Sequence, residues 1–127
     1  MIEIKNISKK FGKLEVLKNV SVSCNSGQCI ALIGPNGCGK TTLIKSILGM
    51  VIPDSGSMEF NEKSIFGDYL YREKIGYMPQ IGRYPDTMTI GEIIEMVKKI
   101  RNSKDNLDED LFRDFEIEKM LNKQMRT

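Results

Sequence analysis

The stretch GPNGCGKTT, residues 34–42, lies between the apolar run QCIALI (28–33) and the segment LIKSIL (43–48). It contains three glycines, and Lys40 is its one charged residue. Glycine has no Cβ, so the backbone can turn sharply here and present successive N–H groups to one anion. The run before the loop predicts a strand covered on both faces, and residues 43–48 place apolar side chains at helical spacing. The order of strand, glycine loop and helix therefore predicts a site for an anion.

Four positions, Gly34, Gly39, Lys40 and Thr41, match the phosphate-binding pattern G-x-x-x-x-G-K-[ST]. In such a loop the backbone N–H groups surround phosphate oxygens, and the positive end of the following helix dipole points to the same place. We expect Lys40 to contact the outer phosphates and the Thr41 hydroxyl to bind Mg²⁺. A glycine-rich turn without a ligand is the alternative, but the flanking strand and helix favour a nucleotide phosphate site.

Short elements surround the loop and predict an α/β fold. The predicted strands are residues 2–7 and 14–22 before the loop, a short strand carrying Met58 and Phe60, and residues 74–80. Turns are expected at Gly12 and at PDSG (53–56), and Gly49 is expected to end the helix that follows the loop.

The chain becomes helical after residue 88. Thr89 and Glu92 have the spacing of a capping box, in which each side chain bonds a free N–H at the helix start. The first predicted helix has an apolar face, expected to pack in the core, of Ile90, Ile93, Ile94, Val97 and Ile100. The sequence NSKDN (102–106) interrupts it, and a second helix is predicted from Leu107, Leu111, Phe112 and Phe115.

Composition excludes several classes of protein. The chain has 127 residues, enough for one core, and its net charge of +2 predicts no nucleic-acid partner. Its apolar runs are too short to cross a bilayer, and its first residues do not resemble a secretory signal. It contains three cysteines without a C-x-x-C pair and no histidine, which argues against zinc and a disulfide framework. We expect a cytosolic, reduced protein.

Longer segments carry a family resemblance. GPNGCGKTTLIKSILG (34–49) resembles the Walker A segment of ATP-binding cassette (ABC) transporter ATPases. FGKLEVLKNVSVSCNSGQCIALIG (11–34) resembles the lead-in of that family, and PDSGSMEF (53–60) the turn after its first helix. IGYMPQ (75–80) resembles the strand that ends in the Q-loop glutamine. The resemblance runs from residue 2 to about residue 100, with these motifs in the family's order.

The resemblance implies a P-loop NTPase fold of the ABC ATPase type. It implies N-terminal antiparallel strands, the P-loop strand and helix, and the start of a helical subdomain. We expect one partial ABC ATP-binding domain over 1–127, with a nucleotide-binding core at 1–80 and the start of the helical subdomain at 81–127.

The resemblance also assigns roles to residues. It implies that Phe11 stacks on adenine beside Val16, that the backbone of Asn36, Gly37, Cys38, Gly39 and Lys40 surrounds the β-phosphate, and that Thr42 touches the α-phosphate. Thr41 and Gln80 are the implied Mg²⁺ ligands, and Lys40 and Gln80 the implied catalytic residues. The family more often has Tyr where Phe11 stands, but stacking needs only the ring face. Core packing for Phe11 and a solvated surface position for Gln80 are the structural alternatives.

The residues that would hydrolyse ATP are missing from the sequence. The family places an Asp and then a Glu after an apolar strand, and the nearest candidate, MVIPD (50–54), is broken by Pro53. No Gly-Gly pair exists for an L-S-G-G-Q signature, and no histidine for the switch position. We therefore expect this chain to bind Mg-ATP without hydrolysing it alone, as the front part of an ATPase.

The function implied by the resemblance is that of the ATP-binding subunit of an ABC transporter. Its expected partners are a transmembrane permease and a second ATP-binding subunit, at the cytoplasmic face of the membrane. IGRYPDTMTIGEII (81–94) resembles the region that meets the permease, which favours transport. A non-transport ABC ATPase of translation or DNA repair, and a P-loop protein that only binds, are the alternatives. A GTPase is disfavoured because N-K-x-D and D-x-x-G are absent, and a metabolite kinase because no arginine cluster is present.

Two further expectations concern the loop and the segment before it. QCIALI (28–33) should have unpaired edges, because its partner strands in the family come from sequence after the signature. Cys38 should be the most reactive thiol, because the helix N-terminus and the Lys40 ammonium stabilise a thiolate.

Overall fold

The computed structural model describes residues 1–80, 82–101 and 109–125. These residues form two compact units, Met1–Gly76 and Tyr77–Thr127. The first contains β1 (Ile2–Phe11), β2 (Leu14–Cys24), α1 (Lys40–Ile47), β3 (Ser55–Phe60), β4 (Lys63–Ser64) and a 3₁₀ helix (Leu70–Lys74). The second contains α2 (Ile90–Ile100), α3 (Glu109–Asp114) and a 3₁₀ helix (Ile117–Met120). In the described ranges no helix is long and apolar enough to cross a membrane.

The first unit is built on a four-stranded antiparallel sheet with the order β2-β1-β3-β4. The predicted turn at Gly12 is confirmed, with φ of 59° between β1 and β2. Ile4 pairs with Val22 and Ile7 with Val20, so β1 carries one extra residue in this interval. Such a bulge shifts the alternation of faces by one residue. Ile4 and Ile7 are therefore both buried although they are an odd number of residues apart.

One hydrophobic core joins the sheet to α1. Its buried members are Ile4, Ile7, Leu17, Leu43, Met58, Ile65 and Tyr71. Leu43 packs the first part of the helix into this core. The other end of the helix is held by a hydrogen bond from the same core. Tyr71 donates its hydroxyl to the carbonyl of Ile47 over 2.9 Å. Gly49, with φ of 66°, ends the helix as predicted.

Two predicted strands are wrong. Residues 28–33 form no strand, and all of them are exposed, with Ile33 at 90%. Residues 75–80 form no strand either, and Lys74 ends a 3₁₀ helix instead. A strand is held by hydrogen bonds to a neighbouring strand. Every strand of the described chain belongs to the β2-β1-β3-β4 sheet, which gives neither segment a partner.

The second unit begins with the predicted capping box. Thr89 Oγ1 accepts a hydrogen bond from the Glu92 backbone over 3.2 Å, and Glu92 Oε2 accepts one from the Thr89 backbone over 2.8 Å. The hydrogen bond from the Thr89 backbone, and then that from the Thr89 hydroxyl, lower the pKa of Glu92 from its ordinary value. The helix that follows buries Ile93, whereas Val97 and Ile100 are exposed, so the predicted apolar face is only partly in a core.

The second predicted helix is confirmed in part. The structure forms α3 over Glu109–Asp114, which includes Leu111 and Phe112. Leu107 and the predicted break at 102–106 lie outside the described residues. The boundary between functional subdomains at residue 80 stays a prediction.

Candidate functional site

The glycine loop leads directly into α1. The N-cap of this helix is Gly39, whose φ of 97° suits glycine and whose missing side chain makes no capping bond. No acidic residue occupies the first turn of the helix. The first N–H groups of a helix have no partner within it, and the dipole makes that end positive. The end of α1 that faces the loop therefore offers donors and positive charge to an anion.

Gly39 also packs tightly against β2. A Cβ at this position would lie 2.6 Å from the carbonyl oxygen of Val16 and 3.0 Å from Cδ2 of Leu17. Leu17 is buried in the core, so the contact anchors this half of the loop to the sheet. It also places Val16, a predicted nucleotide contact, beside the loop.

The Lys40 ammonium reaches back across the loop. Its Nζ donates to the carbonyls of Gly34 over 2.6 Å and Pro35 over 2.7 Å. Both acceptors are neutral, and Lys40 takes part in none of the ion pairs found in the described chain. Its positive charge is therefore held at the loop without a carboxylate to offset it.

Cys38 lies on the exposed side of the same loop. Its Sγ is 3.7 Å from Lys40 Nζ, and a Cβ on Gly34 would come within 2.7 Å of that sulfur. Gly34 therefore has to be a glycine for the side chain of Cys38 to lie where it does. The other predicted loop contacts, Asn36 and Gly37, are exposed.

The two threonines occupy the first turn of α1, which is where the pattern predicts a hydroxyl. Thr41 is exposed and Thr42 is half-buried. Among the described residues no group of three or more His, Cys, Asp or Glu side chains could hold a metal ion. A magnesium ion at the loop would therefore rely on the Thr41 hydroxyl together with oxygens of its ligand and water, which is how Mg²⁺ is commonly bound.

Phe11 ends β1 in the same hairpin that carries Val16. It pairs with Leu14, and its side chain is 51% exposed, so core packing does not account for it. One face of its ring is covered by Lys9, whose Nζ lies 5.5 Å from the ring centroid. The exposed Phe11 ring is available for stacking.

Gln80 belongs to the second unit and is exposed. The loop, Val16 and Phe11 belong to the first unit. The structure places Val16 against the loop at Gly39, and the roles of Phe11 and Gln80 at the same site stay predictions.

Sequence reasoning missed the residues that hold Lys9 in place. Asp54 Oδ1 accepts a 2.7 Å bond from Lys9 Nζ, and Asp54 Oδ2 accepts a 2.7 Å bond from the backbone of Lys10. The bond from the Lys9 ammonium, and then that from the Lys10 backbone, lower the pKa of Asp54 from its ordinary value. Asp54 lies in the PDSG segment, for which the sequence predicts only a turn. No local pattern links it to residues so far back in the chain.

Known proteins match this chain in sequence and in fold. The family model described as ABC transporter matches residues 17–127. A sulfate/thiosulfate import ATP-binding protein of Pectobacterium atrosepticum is 36% identical over 112 residues, covering 84% of this chain and 34% of the relative. A Nod factor export ATP-binding protein of Ralstonia nicotianae is 32% identical, covering 76% and 30%.

Solved structures of ABC transporter ATP-binding proteins also have the fold of this chain. The ATP-binding subunit of an ABC transporter superposes with a TM-score of 0.82 at 28% identity, covering 97% of this chain and 53% of that one. The predicted fold class, an α/β nucleotide-binding domain present in part, is confirmed by this match. The chain spans about a third of the length of the curated relatives it matches.

Proposed function

This chain belongs to the ABC transporter family, and we propose that it forms the nucleotide-binding part of an ATP-binding subunit that powers transport across a membrane. Relatives named for import and for export both match it, so transport is supported without a direction. The whole protein would couple ATP binding and hydrolysis to transport. It would act with a permease and a second ATP-binding subunit at the cytoplasmic face of the membrane.

The observation that carries the proposal is the charge arrangement at the start of α1. The Lys40 ammonium lies at the loop without a carboxylate partner in the described chain, beside an uncapped helix N-terminus. Both features favour a bound phosphate group. The backbone from Asn36 to Lys40 would hold the β-phosphate, and Thr42 the α-phosphate.

The remaining roles follow the same arrangement. Phe11 would stack on the adenine, with Val16 beside it. Thr41 would bind Mg²⁺ together with phosphate oxygens, and Gln80 would complete the ion's contacts and orient water. Lys40 would stabilise charge on the phosphates during hydrolysis in the whole protein. Because this sequence contains no Asp-Glu pair after an apolar strand, we propose that the chain alone binds Mg-ATP and does not turn it over.

Calorimetric titration of the chain with Mg-ATP tests the proposal. Lys40→Ala should weaken binding roughly 10- to 100-fold, the loss expected when a charged hydrogen bond to phosphate is removed. Lys45→Ala is the matched control, because Lys45 is an exposed lysine on the same helix at the end away from the loop. It should bind as the unchanged chain does.

Equal binding by Lys40→Ala and the unchanged chain would refute the phosphate site. Steady phosphate release that Lys40→Ala abolishes would refute the statement that the chain does not hydrolyse ATP alone.

A further inference from the structure

A charged cluster lies at the base of the exposed Phe11 ring. The Lys9 ammonium is 5.5 Å from the ring centroid, within the range of a cation–π contact. The Lys9 side chain is only 17% exposed, although the ring beside it is largely open to solvent. Lys9 therefore lies along the protein surface and covers one face of the ring.

Asp54 fixes Lys9 in that position. One carboxylate oxygen accepts from Lys9 Nζ and the other from the Lys10 backbone, each over 2.7 Å. The backbone of Asp54 itself donates to the Ser8 carbonyl over 2.9 Å. Asp54 is thus tied to the end of β1 through two bonds of its carboxylate and one of its backbone, so its place does not depend on a single flexible side chain.

We propose that Lys9, held by Asp54, is a positioning residue that fixes the Phe11 ring for stacking on the nucleotide base. This proposal rests on the role given to Phe11 above. Lys9 need not touch the nucleotide.

The physical reason is the cost of ordering an exposed side chain. An aromatic ring that is free to rotate loses that freedom when a base stacks on it, and this loss weakens binding. A cation over one face restrains the ring beforehand and leaves the opposite face for the base. Lys9 therefore acts on the part of the affinity that comes from the base and leaves the part that comes from the phosphates unchanged.

Two ligands separate these parts: Mg-ATP, which has a base, and magnesium tripolyphosphate, which does not. Lys9→Met keeps the apolar stem and removes the charge. It should raise the Kd for Mg-ATP roughly two- to fivefold, the size of a cation–π contact at an exposed site, and leave the Kd for tripolyphosphate unchanged. Lys9→Arg, which keeps a cation over the ring, should restore Mg-ATP binding. Asp54→Asn should shift Mg-ATP binding in the same direction as Lys9→Met.

Lys10→Met is the matched control, because it removes the same charge from the neighbouring residue. The Lys10 side chain points to Glu15 at 3.6 Å, and its backbone bond to Asp54 survives the substitution. Both ligands should bind Lys10→Met as they bind the unchanged chain.

A double-mutant cycle distinguishes positioning from a general structural role. In a Phe11→Ala background, Lys9→Met should have no further effect on Mg-ATP binding, because there is no ring to position. An equal loss in both backgrounds, or an equal loss for both ligands, would overturn the proposal. If Lys9→Met reduces folding, Asp54→Asn in the same two backgrounds decides the question.

The experiment also separates this inference from the proposed function. If Phe11→Ala leaves the preference for Mg-ATP over tripolyphosphate unchanged, Phe11 does not stack on the base and its proposed role fails. If Phe11→Ala removes that preference but Lys9→Met does not reduce it, the role of Lys9 alone is refuted.

Discussion

The packing of Gly39 makes a quantitative prediction. In Gly39→Ala, the new Cβ would meet the Val16 carbonyl oxygen at 2.6 Å and Leu17 Cδ2 at 3.0 Å, while φ is 97°. A left-handed backbone costs a residue with a Cβ about 1–2 kcal/mol. Forcing an atom into a packed site adds typically about 1–3 kcal/mol. We therefore expect the free energy of unfolding of the first unit to fall by about 2–5 kcal/mol.

Gly37→Ala provides the matched control in the same loop. Gly37 has a φ of 82°, but a Cβ there would meet no described residue within 4 Å other than its chain neighbours. This variant should lose only the backbone cost of about 1–2 kcal/mol. The difference between the two alanine variants then isolates the contact with Val16 and Leu17.

The measurement is urea unfolding followed by circular dichroism, with the free energies compared at equal slope. Gly39→Ala should unfold at a lower urea concentration than Gly37→Ala, which in turn should unfold below the unchanged chain. Equal stability of the two variants would show that Gly39 does not press against β2, and the anchoring of the loop inferred from this contact would be refuted.

Three further predictions follow from neighbouring contacts. Gly34→Ala should destabilise the loop because its Cβ would lie 2.7 Å from the Cys38 sulfur, so adding Cys38→Ala should recover most of the loss in a double-mutant unfolding cycle. Cys38 should react with a maleimide faster than Cys24 or Cys29, and saturating Mg-ATP should slow the labelling of Cys38. Peptide mass mapping measures the three rates, and equal rates for the three thiols would contradict the prediction. The capping bonds hold the folded pKa of Glu92 below its ordinary value, so its carboxylate contributes stability that is fully present above the unfolded pKa and is lost as the pH falls through the folded pKa. Glu92→Gln should therefore lower the melting temperature at pH 7 and progressively less in acid; a difference that is independent of pH would refute the assignment.

Local patterns predicted the parts of the fold that local interactions determine. The Thr89–Glu92 capping box, the helix after the glycine loop and the β1–β2 hairpin each depend on residues close in sequence, and all three formed as predicted. The QCIALI strand failed because an apolar run specifies burial, whereas a strand needs a partner. The pattern cannot show whether that partner lies in the described sheet.

The candidate site was predictable for a different reason. The loop pattern joins residue types to chemistry at fixed spacing, so Gly34, Gly39, Lys40 and Thr41 were identified without any knowledge of the tertiary structure. Lys9 and Asp54 were not identified, because their contact joins residues 45 positions apart. Contacts between a strand and a distant turn depend on register, and the bulges in β1 shift the register in ways that residue alternation does not reveal.

The bonds of Lys40 explain how one ammonium can both close the loop and bind phosphate. An ammonium has three donors. Two of the Lys40 donors make short hydrogen bonds to the Gly34 and Pro35 carbonyls. The third contact is to Cys38 Sγ, a weak acceptor 3.7 Å away. A phosphate oxygen that replaces the sulfur gains a charged hydrogen bond, and both loop carbonyls keep theirs. If phosphate binds Lys40 as proposed, it would replace the thiol contact without opening the loop. Nucleotide should therefore protect Cys38 and leave intact the turn that holds it.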